Sequence, residues 1–172
     1  TVGYDRQSFT DEKQLSADHI VLRKSGDGLA WGSVYVQYTL PLDEIRSASN
    51  GLSIARRWEI KKGEAWQPLA DGSTVDAGAT LRQVITISAD RDLDFVSVKA
   101  SRPAGLEPLT ALSGYDWESG AYHAVRDASD EYFYRKFPKG KLTFTVEGRA
   151  MRIGTFRSGL VRAQSQYAPE YN

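Results

Sequence analysis

The chain has 172 residues, 41% of them hydrophobic and 26% charged, which is enough to bury one substantial core or two small ones. Its 22 basic and 22 acidic residues give a net charge of zero. That balance argues against a protein that tracks nucleic-acid phosphates and against a polybasic membrane patch. The absence of cysteine excludes disulfides, thiol catalysis, iron–sulfur clusters and cysteine-bound zinc. No apolar run approaches the roughly 18 residues that a membrane span needs.

Alternation of apolar and polar residues is the main structural signal along the chain. It predicts strands at residues 19–24, 33–38, 52–60, 80–89, 132–137, 142–148 and 160–167. These segments are rich in β-branched and aromatic residues, which suit a half-buried pleated surface. Residues 121–131 are the place where the pattern allows one or two helical turns.

Turn signals separate the predicted strands, at residues 25–28, 49–51, 62–64, 71–73 and 138–140. Many short strands separated by such turns predict an all-β fold, an antiparallel β-sandwich. A small, polar stretch near residues 41–51 is typical of a linker. It divides the chain into residues 1–48, expected to be two or three closing strands of a preceding β domain, and residues 49–172, the sandwich. The start at Thr1, without methionine or signal core, predicts a piece of a longer protein.

No catalytic, cofactor or metal site is predicted. His19 and His123 have no partner histidine at a metal-binding spacing, so both are interpreted as structural or surface residues. No Gly-x-Ser-x-Gly motif supports a catalytic triad.

Asp90, Asp92 and Asp94 alternate around Arg91 and would share one face of a regular strand, where three carboxylates could ligate calcium. The favoured interpretation is a turn in which Arg91 pairs with its neighbours.

Two other functions stay open on the residues alone. Five carboxylates could supply the pair that a glycosidase uses: Glu107, Asp116, Glu118, Asp127 and Asp130. Trp66 and Trp117 lie in glycine-flanked segments interpreted as loops, where they could stack on sugars in a carbohydrate-binding module. A loop anchored by its own aromatic side chain is the favoured interpretation of each tryptophan.

Six segments carry signals beyond strand and turn chemistry: Gly26–Tyr38, Ala89–Val96, Arg102–Pro108, Arg126–Ser129, Phe137–Gly140 and Tyr167–Tyr171. Their order and spacing resemble the C-terminal region of bacterial alpha-2-macroglobulin-like proteins of the large Bacteroidetes type. The first segment resembles the strand that closes the penultimate domain, and the others resemble the final macroglobulin-type domain. The resemblance covers nearly the whole chain.

The resemblance implies a macroglobulin-type sandwich that is not an enzyme. Family members trap proteases after cleavage of a bait segment, and in many of them a Cys-Gly-Glu-Gln thioester then reacts with the protease. This chain has no cysteine, so no thioester lies within it. The implied partners are the neighbouring domains of the parent chain, with proteases reached only through the full-length protein. The implied location is the periplasm or cell envelope of a bacterium.

The final domain of that family docks against the thioester-bearing domain, so the resemblance also implies an interdomain surface. Exposed aromatic side chains are the usual anchors of such surfaces. We therefore expect Trp31, Tyr35, Trp117 and Tyr122 to be interdomain contacts.

Overall fold

The computed structural model describes residues 5–11 and 19–172. The chain divides into two compact units, Thr1–Thr39 and Leu40–Asn172. Within the described residues no helix has the length and apolar character that crossing a membrane requires. The boundary expected between residues 48 and 49 stays a prediction.

The described residues of the first unit form no strand and no helix. Alternation predicts strands at residues 19–24 and 33–38, and the structure has none there; that residues 1–48 are closing strands of a preceding β domain stays a prediction. Alternation places apolar side chains on one face, but a strand also needs a backbone hydrogen-bonding partner. No described strand pairs with these segments. Val34 and Val36, which would have faced a core, are exposed.

The second unit folds as two five-stranded antiparallel sheets. In chain order its strands are β1 (Leu52–Lys62), β2 (Ala65–Leu69), β3 (Thr80–Ala89), β4 (Leu93–Ser101), β5 (Leu106–Pro108), β6 (Gly114–Asp116), β7 (Ala121–Val125), β8 (Ser129–Phe137), β9 (Gly140–Ala150) and β10 (Val161–Ser165). Sheet A has the order β2-β1-β3-β9-β5, and sheet B the order β10-β4-β8-β7-β6. A 3-10 helix, Leu42–Glu44, precedes them. The predicted all-β sandwich is confirmed.

All five predicted strands of this unit are present, and one local expectation is wrong. The alternation at residues 52–60, 80–89, 132–137, 142–148 and 160–167 marks β1, β3, β8, β9 and β10. Residues 121–131, where helical turns were allowed, form β7 and the start of β8 instead. β7 is paired on both sides, with β6 and β8, and this pairing satisfies backbone groups that a short helix would leave open.

The larger core lies between the two sheets and contains aliphatic and aromatic side chains from both. Sheet A contributes Leu52, Ile85, Ile87, Phe144 and Val146, and sheet B contributes Val96, Val98, Tyr132, Tyr134 and Phe137. Ile60, Leu81 and Leu106 form a smaller buried cluster inside the same unit. Burial of this many large side chains is the main stabilising contribution to the fold.

The inward–outward alternation changes phase once, near the start of β4. Phe95 has φ = 52°, a left-handed conformation that is strained for a bulky residue. As a result two consecutive residues, Asp94 and Phe95, face solvent, and Leu93 returns to the core. The facing end of β8 shows the same change, with Phe137 only 1% exposed after two exposed residues. Burial of Leu93 and Phe137 offsets the strain at Phe95.

The C-terminal residues close the sandwich by binding the start of β1. Asn50 and Asn172 exchange two backbone hydrogen bonds, of 2.6 and 3.1 Å. The Tyr171 ring lies against Gly51, where a Cβ would be only 2.8 Å from Tyr171 Cδ1 and φ is +78°. Arg91 donates a 3.0 Å hydrogen bond to the Tyr171 hydroxyl and lies over its ring. The end of the chain is therefore fixed to the turn between β3 and β4.

A buried polar cluster joins β7, β8 and the segment after β4. Asp130 is 2% exposed. Its carboxylate forms an ion pair with Arg102 and a 2.8 Å hydrogen bond with His123 Nε2. Arg102 also donates to the backbone carbonyls of Arg126 and Asp127. Because a buried charge is tolerated only when it is paired, these three side chains must assemble together with the sheet.

We predict that Asp130→Asn destabilises the domain by about 3 kcal/mol or more, because it leaves the buried Arg102 charge uncompensated. The matched control is Glu131→Gln, the same change one residue on, where the carboxylate pairs with the exposed Lys99 and Arg126. That control is expected to cost no more than about 0.5 kcal/mol. Urea unfolding followed by circular dichroism measures both; equal effects of the two substitutions would contradict the prediction.

Candidate interdomain docking surface

Six aromatic side chains form an exposed stripe across the outer face of sheet B. This aromatic stripe consists of Phe95, Tyr115, Trp117, Tyr122, Phe133 and Tyr167. Its centre is set by strand register, since Tyr115 lies opposite Tyr122 and Tyr122 lies opposite Phe133. Directly opposed residues on one face of an antiparallel pair are close neighbours, so the three rings form one continuous surface.

The core determines which aromatic side chains of sheet B face outward. On β8, Tyr132 and Tyr134 are buried and flank Phe133, which is 42% exposed. Burial raises the pKa of both tyrosine hydroxyls. On β7, the buried Ala121 precedes Tyr122 in the same way. Because successive strand residues point to opposite faces, burying one set places the other in solvent.

Two edge-to-face contacts extend the stripe beyond the strands. Trp117, 87% exposed, contacts Tyr115 with ring centroids 4.6 Å apart. At the other end Tyr167, 81% exposed, contacts Phe95 at 5.1 Å. Edge-to-face packing is a favourable aromatic geometry, and it fixes the directions of these exposed rings.

The turn that carries Trp117 is organised by Asp116. Its carboxylate accepts hydrogen bonds from the Glu118 backbone N–H, at 3.0 Å, and from the Ser119 hydroxyl, at 2.6 Å. The Gly120 N–H closes the turn on the Asp116 carbonyl at 2.9 Å. The bond from Ser119, followed by the backbone bonds, holds the pKa of Asp116 below its usual value.

Charges of both signs lie around the aromatic stripe. The cations Lys99, Arg135 and Arg162 lie on outward positions of β4, β8 and β10, and the anions Glu131 and Asp94 lie on β8 and β4. Glu131 is shared between Lys99 at 3.4 Å and Arg126 at 3.6 Å. The face combines exposed aromatic rings with arginine, the residue types enriched at protein–protein contacts.

The sequence model of the bacterial alpha-2-macroglobulin MG10 domain matches residues 51–170, which contain all ten strands. The chain belongs to the bacterial alpha-2-macroglobulin MG10 domain family. None of the curated proteins matches the chain.

Solved structures of bacterial alpha-2-macroglobulins share the fold of this MG10 domain. A point mutant of Salmonella alpha-2-macroglobulin has a TM-score of 0.61 at 24% identity, and the methylamine-reacted Salmonella protein 0.59 at 26%. Native Escherichia coli alpha-2-macroglobulin, from domain MG7 to the C-terminus, has 0.58 at 18%. Each match covers 72% of this chain. The matched region spans only 8% of each Salmonella chain and 22% of the Escherichia coli chain.

The structure places two of the four expected contact residues on one surface of the MG10 domain. Trp117 and Tyr122 both belong to the aromatic stripe. Trp31 and Tyr35 belong to the first unit and are 92% and 90% exposed. That all four residues are interdomain contacts stays a prediction.

Trp66 is on strand β2, which corrects its interpretation as a loop residue. It lies opposite Lys61 on the outer face of sheet A, and the Arg82 guanidinium covers its ring at 4.1 Å. Arg82 also donates to Glu59 at 2.7 Å, and this bond, followed by that from Arg57, lowers the pKa of Glu59. Trp66 is thus engaged in a network on sheet A, whereas Trp117 is open to solvent.

The candidate carboxylates of a glycosidase are dispersed or engaged. Asp130 is buried in the ion pair with Arg102, and Asp116 caps its own turn. Glu107 is on β5 of sheet A, whereas Asp130 is on β8 of sheet B.

His123 stacks on Tyr132, with ring centroids 4.4 Å apart, and forms a hydrogen bond with Asp130, the structural role expected for it.

The favoured interpretation of the Asp90–Asp94 segment is confirmed. Arg91 binds Asp90 in the turn, through hydrogen bonds of 2.8 and 3.1 Å. Asp92 accepts the Lys139 backbone N–H at 2.7 Å, and Asp94 pairs with Lys136 at 3.3 Å. Within residues 5–11 and 19–172 no three potential metal ligands come together.

Sequence reasoning missed four members of the aromatic stripe, Phe95, Tyr115, Phe133 and Tyr167. A signal was present at Phe133, which stands at an outward position within the predicted strand at residues 132–137. Recognising the stripe required the register between β6, β7 and β8, which alternation within single strands does not contain.

We predict that Asp116→Ala loosens the turn that carries Trp117, because the Glu118 N–H and Ser119 hydroxyl lose their acceptor. Hydrogen–deuterium exchange at the Glu118 amide should accelerate on the order of tenfold, with little change in the core strands. Acidification should likewise lower the protection of this amide relative to its intrinsic exchange rate at each pH. The carboxylate's contribution is complete above its unfolded-state pKa and is lost as pH falls through its lowered folded-state pKa. Glu118→Ala is the control, and equal acceleration in both variants would refute the role of Asp116.

Proposed function

We propose that this MG10 domain is a non-catalytic docking domain of an alpha-2-macroglobulin-like protein, and that it supports protease trapping by contacting a neighbouring domain through the aromatic stripe. The single observation that carries the proposal is the register-aligned, exposed set Tyr115, Tyr122 and Phe133. Monomeric proteins rarely expose contiguous apolar surface without a partner for it.

The aromatic stripe is suited to docking because its rings are already fixed. Strand pairing holds Tyr122 and Phe133, and Asp116 orders the turn that carries Trp117. Because the backbone is already ordered, less conformational entropy is lost on association, which lowers one cost of binding. The surrounding cations favour an acidic partner surface and would orient it during approach.

A non-catalytic role is supported by how the ionisable groups are used. Asp130 and His123 bond each other inside the domain, and Asp116 bonds its own turn. These contacts stabilise the fold and hold the side chains away from a reactive arrangement. The cysteine-free sequence offers no thioester, so covalent trapping would require a residue supplied by another part of the parent protein.

The same proposal includes the bacterial periplasm or cell envelope as the location. Its support is the family membership and the resemblance to alpha-2-macroglobulin-like proteins. The Bacteroidetes type of the parent protein is part of this proposal.

A carbohydrate-binding module is the second candidate, and the exposure of Trp117 is the observation that favours it. Sugar stacking would depend on that one ring, whereas docking depends on the whole stripe. Binding to a glycan array that Trp117→Ala alone abolishes would support the carbohydrate function.

We predict that the 172-residue chain folds but does not inhibit trypsin, because docking alone traps nothing. Within the parent protein, Tyr115→Ala with Tyr122→Ala should weaken trapping at least about tenfold, as loss of two central aromatic contacts does. Residual trypsin activity on a large protein substrate measures both effects. Ile153→Ala, a fully exposed apolar side chain outside the aromatic stripe, is the control. Inhibition of trypsin by the chain alone, or full trapping by the double variant, would refute the proposal.

A further inference from the structure

A depression of about 270 Å³ lies at one end of the aromatic stripe. Its lining is Phe95, Val96, Phe133, Tyr134, Arg135 and Gln166. The volume is below the roughly 300–1,000 Å³ of typical small-molecule sites, and the depression opens on a flat sheet face. The size of the depression and the exposed rings of Phe95 and Phe133 fit one apolar side chain of a protein partner.

The change of phase in β4 lies beside this depression. Asp94 pairs with Lys136 and Val96 with Tyr134, so the register sets Phe95 directly opposite Arg135. Because Val96 and Tyr134 are buried, Phe95 and Arg135 take outward positions, and the phase change leaves Asp94 and Lys136 exposed beside them. The Gln166 N–H donates to the Phe95 carbonyl at 2.9 Å, which holds the neighbouring wall in place.

Arg135 carries an uncompensated charge beside these apolar walls. Within the described part of the chain it forms no ion pair, although the carboxylates nearest to it along the sheet are paired. Asp94 is bound by Lys136 at 3.3 Å, and Glu131 by Lys99 at 3.4 Å. A guanidinium next to a partly desolvated surface binds a carboxylate more strongly than one in open water.

We propose that the depression receives one apolar side chain of the docking partner, and that Arg135 binds a carboxylate adjacent to that side chain. The inference rests on the proposed docking function and specifies its chemistry: the partner is an acidic domain surface that presents leucine-like or aromatic bulk next to an aspartate, a glutamate or a chain terminus. Charge complementarity to Arg135 determines this choice over a purely apolar partner.

The test is an NMR titration of the 172-residue chain with two matched probes, N-acetyl-L-leucine and N-acetyl-L-leucinamide. Both carry the same side chain, and only the first has a carboxylate. We expect shifts localised to residues 95–96, 133–135 and 166. We expect the acid to bind at least about threefold more tightly than the amide, the size typical of a partly exposed charge pair. Equal affinity for the two probes, or no localised shifts, would overturn the inference.

Two variants assign the effect to its residues. Arg135→Gln should remove the preference for the acid, while Arg162→Gln, whose guanidinium is bound to Gln164 on the same face, should retain it. Phe95→Gly accommodates the left-handed backbone and deletes the ring, so it should fold normally and bind both probes more weakly. An acid preference that survives Arg135→Gln contradicts the proposal.

Trapping by the parent protein separates this inference from the docking function. Tyr115 and Tyr122 are outside the lining of the depression, whereas Arg135 is within it. If Tyr115→Ala with Tyr122→Ala weakens trapping but Arg135→Gln does not, the domain docks through the aromatic stripe and the carboxylate inference fails. If neither change weakens trapping, the docking proposal itself fails.

Discussion

The pairing of β8 with its two neighbours is the constraint on which the other features of the domain depend. β8 lies between β4 and β7, and its inward residues include Tyr132 and Tyr134 in the core and Asp130 in the buried ion pair. With that face committed, Phe133 must point outward, and the register with β7 sets Tyr122 beside it. A slip of one residue would bury Phe133 and Glu131 and expose Asp130, so the core and the surface stripe are specified by the same register.

The strained Phe95 connects this register to the surface at the end of the sheet. Continued alternation would have placed Leu93 and Phe137 in solvent. Their burial favours the left-handed conformation at Phe95. The consequence is a pair of exposed residues on each strand, Phe95 and Arg135 among them. A local adjustment that buries Leu93 and Phe137 thereby leaves the charged Asp94 and Lys136 exposed at this end of the face.

The fold class was accessible from sequence because alternation is a local property, and five of the ten strands follow from it. β7 was missed because its residues have no decisive local preference and become a strand only by pairing on both sides. Residues 33–38 show the opposite case, since they alternate but have no partner strand among the described residues. Trp117 and Tyr122 were identified as exposed aromatic side chains, but the continuity of the stripe depends on register, which only the assembled sheet provides.

The aromatic stripe and the exposed pair Trp31 and Tyr35 differ in the conformational entropy that a partner must overcome to bind them. Tyr122 and Phe133 are held by strand pairing, so a partner that covers them meets side chains whose backbone is already ordered. Trp31 and Tyr35 lie in a segment without strand or helix, where association would first have to fix the backbone at about 1–2 kcal/mol per residue. For equal buried area the stripe therefore binds more tightly. Substitution of its residues should be the more damaging even though each of its rings is less exposed than Trp31.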